Sequence, residues 1–261
     1  MIETPLIRID RHDSGVVEVV LDRPEAMNAV STQMATALTA AGAALADDTS
    51  VRAVVLTSSH DKAFCVGADL KERNGLTDEQ LRAQRPGNRL AYRALLDLPV
   101  PTIAAVDGYA MGGGCELALA CDLIVAGPRA LFALPEVSVG VIPGGGGTQL
   151  MTRRIGWSRA ADLIFTARRI GGEEALRLGL VDRFVDDAKG ESLALASTIA
   201  EHSPVGVRNA KAAMRDGIEV GLDEGLDIED ARWHDTAFSP DRVEGVRAFA
   251  EKRRPVWPGL G

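Results

Sequence analysis

Two carboxylates beside glycine-rich backbone are the residues best placed to do chemistry. The first is Glu116, in Asp107–Ala120 (DGYAMGGGCELALA), where Gly112, Gly113 and Gly114 lead into an apolar run. Consecutive glycines lose backbone entropy inside a strand or helix, but they permit unusual dihedrals and close approach of a ligand to the main chain. The run Cys115–Ala120 reads as the start of a helix, so the amides near Gly113 and Gly114 fall at its unsatisfied, electropositive end. Donors placed there can stabilise a developing oxyanion. A tight strand-to-helix turn would explain the same glycines without any chemistry.

The second carboxylate, Glu136, follows Leu134-Pro135 and precedes a further glycine run in Gly140–Thr148, whose four consecutive glycines can form an anion-binding nest ahead of a helix. Taken singly, Glu116 can be a dipole partner and Glu136 a turn or cap residue. Taken together, they sit beside ligand-permissive backbone and apolar neighbours, which raise a carboxyl pKa. Two such groups titrate as a pair, one holding a proton while the other is ionised, and that suits adding the elements of water. No Lys-Ser/Thr follows the second glycine run, and neither run contains G-x-G-x-x-G. Nucleotide-phosphate and dinucleotide chemistry lose their main support.

The elements that must hold these residues read as an α/β core. Short β-branched runs at Val16–Leu21, Val51–Thr57, Pro101–Val106, Asp122–Ala126 and Ala130–Leu134 predict buried strands. Ser31 can cap a helix running to about Asp47. Beyond Gly140 the strand signals nearly vanish, and helices are predicted over Leu193–His202, Ser203–Asp216 and Ser239–Arg253, the last two opening with Ser-Pro. The chain therefore divides into a core over residues 1–200 and a helical region over 201–261. That region needs the core or another subunit to bury its apolar stripe. The polar stretch Lys71–Asn88 reads as a mobile loop or exposed helix, of the kind that borders a site.

The 261 residues suffice for one large domain, and a net charge of -8 argues against a nucleic-acid surface. No run is long and apolar enough to span a bilayer, and the N-terminus shows no secretory or transit pattern, which makes the cytoplasm the expected location. Cysteines 65, 115 and 121 form no C-x-x-C pair, and histidines 12, 60, 202 and 234 are scattered. Disulfide and metal sites are not expected.

At these residues the sequence resembles the crotonase superfamily, and within it the enoyl-CoA hydratases. The matching strings are Lys62–Arg73 (KAFCVGADLKER), Pro99–Ala126, Phe132–Gln149, Ala175–Asp182 and Ala248–Arg254. They span nearly the whole chain in the family's order. The resemblance implies a spiral of strand–strand–helix units, with C-terminal helices building homotrimers or dimers of trimers. It places an oxyanion hole on the amides of Ala68 and Gly113, substrate contacts at Ala68, Asp69, Leu70, Lys71 and Gly113, and the catalytic pair at Glu116 and Glu136. The implied reaction is reversible syn hydration of a 2-enoyl-CoA to a 3-hydroxyacyl-CoA. Coenzyme A belongs to the substrate, and no other cofactor and no metal is implied. Isomerisation, thioester hydrolysis, a lyase step and acyl-CoA binding without catalysis are the competing readings.

Two details differ from related sequences. Leu150 stands where many members carry Arg. The sequence also resembles the 3-methylglutaconyl-CoA hydratase branch, some of whose members bind RNA through a lysine-rich helix. The helix Thr32–Asp47 has no Lys or Arg, so no RNA binding is expected. Arginines 73, 82, 85 and 89 could meet a substrate carboxylate or simply face solvent.

Overall fold

The structure is a computed structural model that describes residues 6–259. Its strands are β1 (Ile7–Arg11), β2 (Val16–Leu21), β3 (Ala53–Ser58), β4 (Ala63–Cys65), β5 (Thr102–Val106), β6 (Tyr109–Met111), β7 (Leu123–Ala126), β8 (Leu131–Ala133), β9 (Ile170–Gly171) and β10 (Arg183–Phe184). The first sheet has the order β1-β2-β3-β5-β7-β10, antiparallel only at β1–β2. The second has the order β4-β6-β8-β9. From β3 to β8 successive units place one strand in each sheet and then a helix, after an opening β1–β2 hairpin within the first sheet, so the expected α/β spiral is what forms.

The continuous apolar strands follow from burial on both faces. On one side Val17, Val19 and Leu21 pack with Met34, Leu38 and Leu45 of α1 (Thr32–Asp47). On the other, Val16, Val55, Ile103 and Val125 form a second cluster with Ala188 and Ala196. Ser31 caps α1, its Oγ accepting from the Met34 amide at 3.3 Å.

The helices nearest the glycine turns are α2 (Leu70–Arg73), α3 (Asp78–Leu96) and α4 (Gly113–Leu119), with α3 packed on α1 and α4 on β4 and β6. The polar stretch after Lys71 is therefore mostly helix, and largely exposed. Thr77 Oγ1 accepts from the Gln80 amide while Gln80 Oε1 accepts from the Thr77 amide, a reciprocal cap that starts α3 despite the lack of an apolar face there.

The chain continues through α5 (Gly147–Ile155), α6 (Trp157–Thr166), α7 (Gly172–Leu178) and α8 (Ala188–Ala200). It ends in α9 (Pro204–Gly217), α10 (Leu222–Ala237) and α11 (Pro240–Ala250). Ser203 and Ser239 cap α9 and α11 as their Ser-Pro openings require. The sequence pattern did not mark α10, which has no buried residue in the single chain. Lys211 of α9 ties this helical region to the core, its Nζ donating to the Val100 carbonyl at 2.8 Å and to Asp122 Oδ2 at 2.6 Å.

Candidate active site

Four turns converge on one cleft of about 390 Å³, lined by Gly67, Ala68, Tyr92, Gly113, Glu116 and Glu136 among others. Two of those turns need glycine. Gly67 has φ +88° and Gly112 φ +51°, in the left-handed region that other residues avoid. A Cβ on Gly67 would also stand 2.9 Å from the Gly113 nitrogen, so the two backbone segments approach only because side chains are absent.

Ala68 and Gly113 present the amides. Ala68 forms an isolated parallel bridge with Val30, in which Val30 donates to the Gly67 carbonyl and Asp69 donates to the Val30 carbonyl. That pattern turns the Ala68 amide away from Val30. Gly113 is the first residue of α4, where the amide has no intrahelical acceptor.

Glu116, in the first turn of α4, is only 3% exposed. Its Oε1 accepts from the amides of Gly145 at 2.7 Å and Gly147 at 2.8 Å. The nest expected in the second glycine run therefore exists, and the anion it holds is this carboxylate. Desolvation pushes the Glu116 pKa up. The Gly147 and Gly145 amides, then the charges of Arg85 and Arg73, pull it back.

Glu136 opens a short 3-10 turn, Glu136–Val139. Its Oε1 lies 2.8 Å from where a Cβ on Gly112 would be, and its Oε2 is buried without a hydrogen-bond partner. Burial, reinforced by the nearby Glu116 charge and offset by its own backbone amide and Arg73, raises its pKa to about 7. The two carboxyls thus have distinct environments: one clasped by amides, the other desolvated and free to carry a proton.

The remaining expected positions divide. Leu70 borders the cleft and is 62% exposed. Asp69 turns inward: its Oδ2 accepts from Arg23 Nη1 at 2.7 Å and its Oδ1 caps α2 at the Lys71 and Glu72 amides. Its side chain fixes the loop carrying Ala68. Lys71 is exposed and outside the cleft lining, as are Arg82 and Arg89, whereas Arg73 and Arg85 border it.

Sequence reasoning missed Tyr92. It is 8% exposed, and its ring covers Gly145 while its hydroxyl abuts Gly113. No spacing rule links residues so far apart along the chain, although a Tyr on the inner face of a capped helix was available as a signal. The three cysteines are free and buried, and burial raises the Cys65 thiol to about 12, far from nucleophilic. Among the described residues no helix is long and apolar enough to cross a membrane.

Comparison with known proteins agrees with this geometry. Residues 11–259 match the family model described as enoyl-CoA hydratase/isomerase. The chain is 41% identical to methylglutaconyl-CoA hydratase, mitochondrial, of Mus musculus, over 96% of its own length and 82% of that protein. The crystal structure of an enoyl-CoA hydratase from Bacillus anthracis superposes with TM-score 0.95 at 39% identity, covering 98% of this chain and all of that one. An enoyl-CoA hydratase from Mycobacterium smegmatis gives TM-score 0.90 at 37% identity, covering 97% of this chain and 99% of that one. The chain belongs to the enoyl-CoA hydratase/isomerase family of the crotonase superfamily.

Proposed function

We propose that the protein catalyses reversible syn addition of water to the 2,3 double bond of a 2-enoyl-CoA thioester. The observation that carries this reading is the unequal carboxyl pair: Glu116 held by two amides and Glu136 desolvated to a pKa of about 7, both in the cleft that Ala68 and Gly113 border. The thioester oxygen accepts from the Ala68 and Gly113 amides. Water sits on Glu116 Oε2, the oxygen its amide clasp leaves free.

As the water oxygen bonds to C3, the π electrons move through C2 onto the thioester oxygen. Glu116 takes the water proton and Glu136 gives its proton to C2. The pair begins and ends with one proton between them, which returns to Glu136 before the next turnover. Each good oxyanion donor contributes about 3–4 kcal/mol to such a step. The carbon and proton chemistry uses the carboxyl pair and main-chain donors; coenzyme A enters as part of the substrate.

The test is loss of the conjugated-enone absorbance of crotonyl-CoA, with a product heavier by one water. Glu116→Gln and Glu136→Gln are each expected to lose nearly all activity, since general acid–base groups contribute roughly 10²–10⁴-fold. Wild-type rates in both variants would refute the assignment. A product of unchanged mass would favour isomerisation, and release of free coenzyme A would favour hydrolysis.

Two finer features belong to the same reading. Arg73 borders the cleft without an ion pair among the described residues, which favours an acyl group ending in a carboxylate. The apolar faces left open on α9 to α11 support assembly of residues 201–261 into a homotrimer, or a dimer of trimers.

A further inference from the structure

One peptide group joins α3 to the carboxylate of Glu116. Arg85 Nη2 donates to the carbonyl of Gly144 at 2.7 Å, and the amide of Gly145, on the other side of that same peptide bond, donates to Glu116 Oε1 at 2.7 Å. Both flanking residues are glycines, so nothing in their side chains restrains the plane of this group. A rotation that turned the Gly144 carbonyl away would withdraw the Gly145 amide from Glu116. Among the described residues the only hydrogen bond to its carbonyl comes from a guanidinium.

We propose that Arg85 is a positioning residue for Glu116, fixing the 144–145 peptide group whose amide clasps the carboxylate. Hydrogen bonds in series polarise one another, so a cationic donor on the carbonyl strengthens the amide's bond to Glu116. The charge acts in the same sense directly, because Arg85 is the first of the cations that hold the Glu116 pKa down. The other ionisable groups around Glu116 are Arg73 of α2, Tyr92 of α3, Cys115 of α4 and Glu136. Arg85 alone among them is bonded to the loop that clasps the carboxylate. Leu81, Arg85, Asn88 and Tyr92, at helical spacing, all border the cleft, so α3 carries the anchor on the face it turns to the site.

This inference rests on Glu116 acting as the base in hydration. The experiment is therefore a pH profile of kcat/KM for the full-length protein on crotonyl-CoA, with Arg85→Met, Arg85→Lys and Arg89→Met. Arg89 lies on the same helix, exposed and outside the cleft, and its substitution removes the same charge. In Arg85→Met, kcat is expected to fall about 10-fold or more, as for a slightly misplaced catalytic group, with a smaller change in KM. The acid limb should move to higher pH, because losing the cation raises the Glu116 pKa. Arg85→Lys should bring the limb back, and Arg89→Met should match wild type. A wild-type kcat and acid limb in Arg85→Met would overturn the positioning role while leaving hydration intact. A loss of kcat with the limb unmoved and no recovery in Arg85→Lys would overturn it too, because a general loss of packing does that. An inactive wild type would instead count against the hydratase reading itself.

Discussion

The hydroxyl oxygen of Tyr92 occupies the space a side chain on Gly113 would need, well inside van der Waals contact with where its Cβ would stand. With the hydroxyl gone, the nearest atoms to that Cβ are Gly67 Cα and Tyr92 Cζ, each at 3.4 Å, which is ordinary contact. Gly113 is thus glycine because of one oxygen atom on α3. Gly113→Ala should destabilise the fold by about 1–3 kcal/mol, as overpacking does. Tyr92→Phe combined with Gly113→Ala should recover most of that loss. Urea denaturation of the two single variants and the double variant measures the coupling. Additive losses would mean that the hydroxyl is not what excludes the methyl.

That Glu116 and Glu136 meet in one cleft was legible in the sequence because both sit beside glycine runs, and runs survive in one dimension. Strands β2, β3, β5, β7 and β8 were legible too, because burial leaves runs of Val, Ile and Leu, whereas the five-residue, partly exposed β1 (IRIDR) was not. The two- and three-residue strands β4, β6, β9 and β10 were not, since pairing with distant neighbours rather than local pattern makes them strands. Helix α3 hid inside a polar run, although Thr77-Asp-Glu-Gln80 spells the cap that begins it. The Arg85–Gly144 bond joins residues 59 positions apart, and no periodicity announces such a contact. The role of Asp69 needed three dimensions for the same reason: its partner Arg23 lies 46 positions away.

Because the proposed hydration releases no net proton, kcat/KM for it must depend on pH in the same way in both directions. Each direction needs the pair to hold one proton. On the proposed mechanism the basic limb is the loss of that proton from Glu136, so kcat/KM should fall as pH rises through about 7. A profile flat from pH 6 to 9 would rule out Glu136 as the proton donor.

The same group should leave a mark on stability. Its folded pKa, about 7, lies above the ordinary value of 4.5, so between those values the folded chain binds more protons than the unfolded one. Stability contributed by this carboxyl therefore falls as pH rises through that window. Glu136→Gln removes the titration. Its melting temperature should exceed that of wild type at pH 8 by more than at pH 4. An equal offset at both pH values would show that burial does not disfavour the charged form.

The helical region leaves large apolar side chains in the open on three successive helices: Met214 at 76%, Trp233 at 59%, Phe238 at 75% and Phe249 at 87% exposure. A patch of this kind on a folded chain marks an interface. Sedimentation should find wild type at three or six times the chain mass. Met214→Asp with Phe249→Asp should give smaller species, because a charge buried without a partner opposes association. A monomeric wild type would remove the trimer from the proposal.

Arg73 bears on which acyl group the cleft prefers. Its guanidinium borders the site with no carboxylate paired to it among the described residues, yet it also helps hold down the pKa of both Glu116 and Glu136. Replacing it therefore affects any substrate through the carboxyl pair, so the ratio between two substrates is the informative quantity. Against crotonyl-CoA and an enoyl-CoA whose chain ends in a carboxylate, Arg73→Ala should lower kcat/KM for the acidic substrate about 10-fold more than for the neutral one. A charge-assisted hydrogen bond of about 1.5–3 kcal/mol would be lost only there. An equal loss on both substrates would leave Arg73 acting on the carboxyl pair alone, and the acyl pocket without a charge preference.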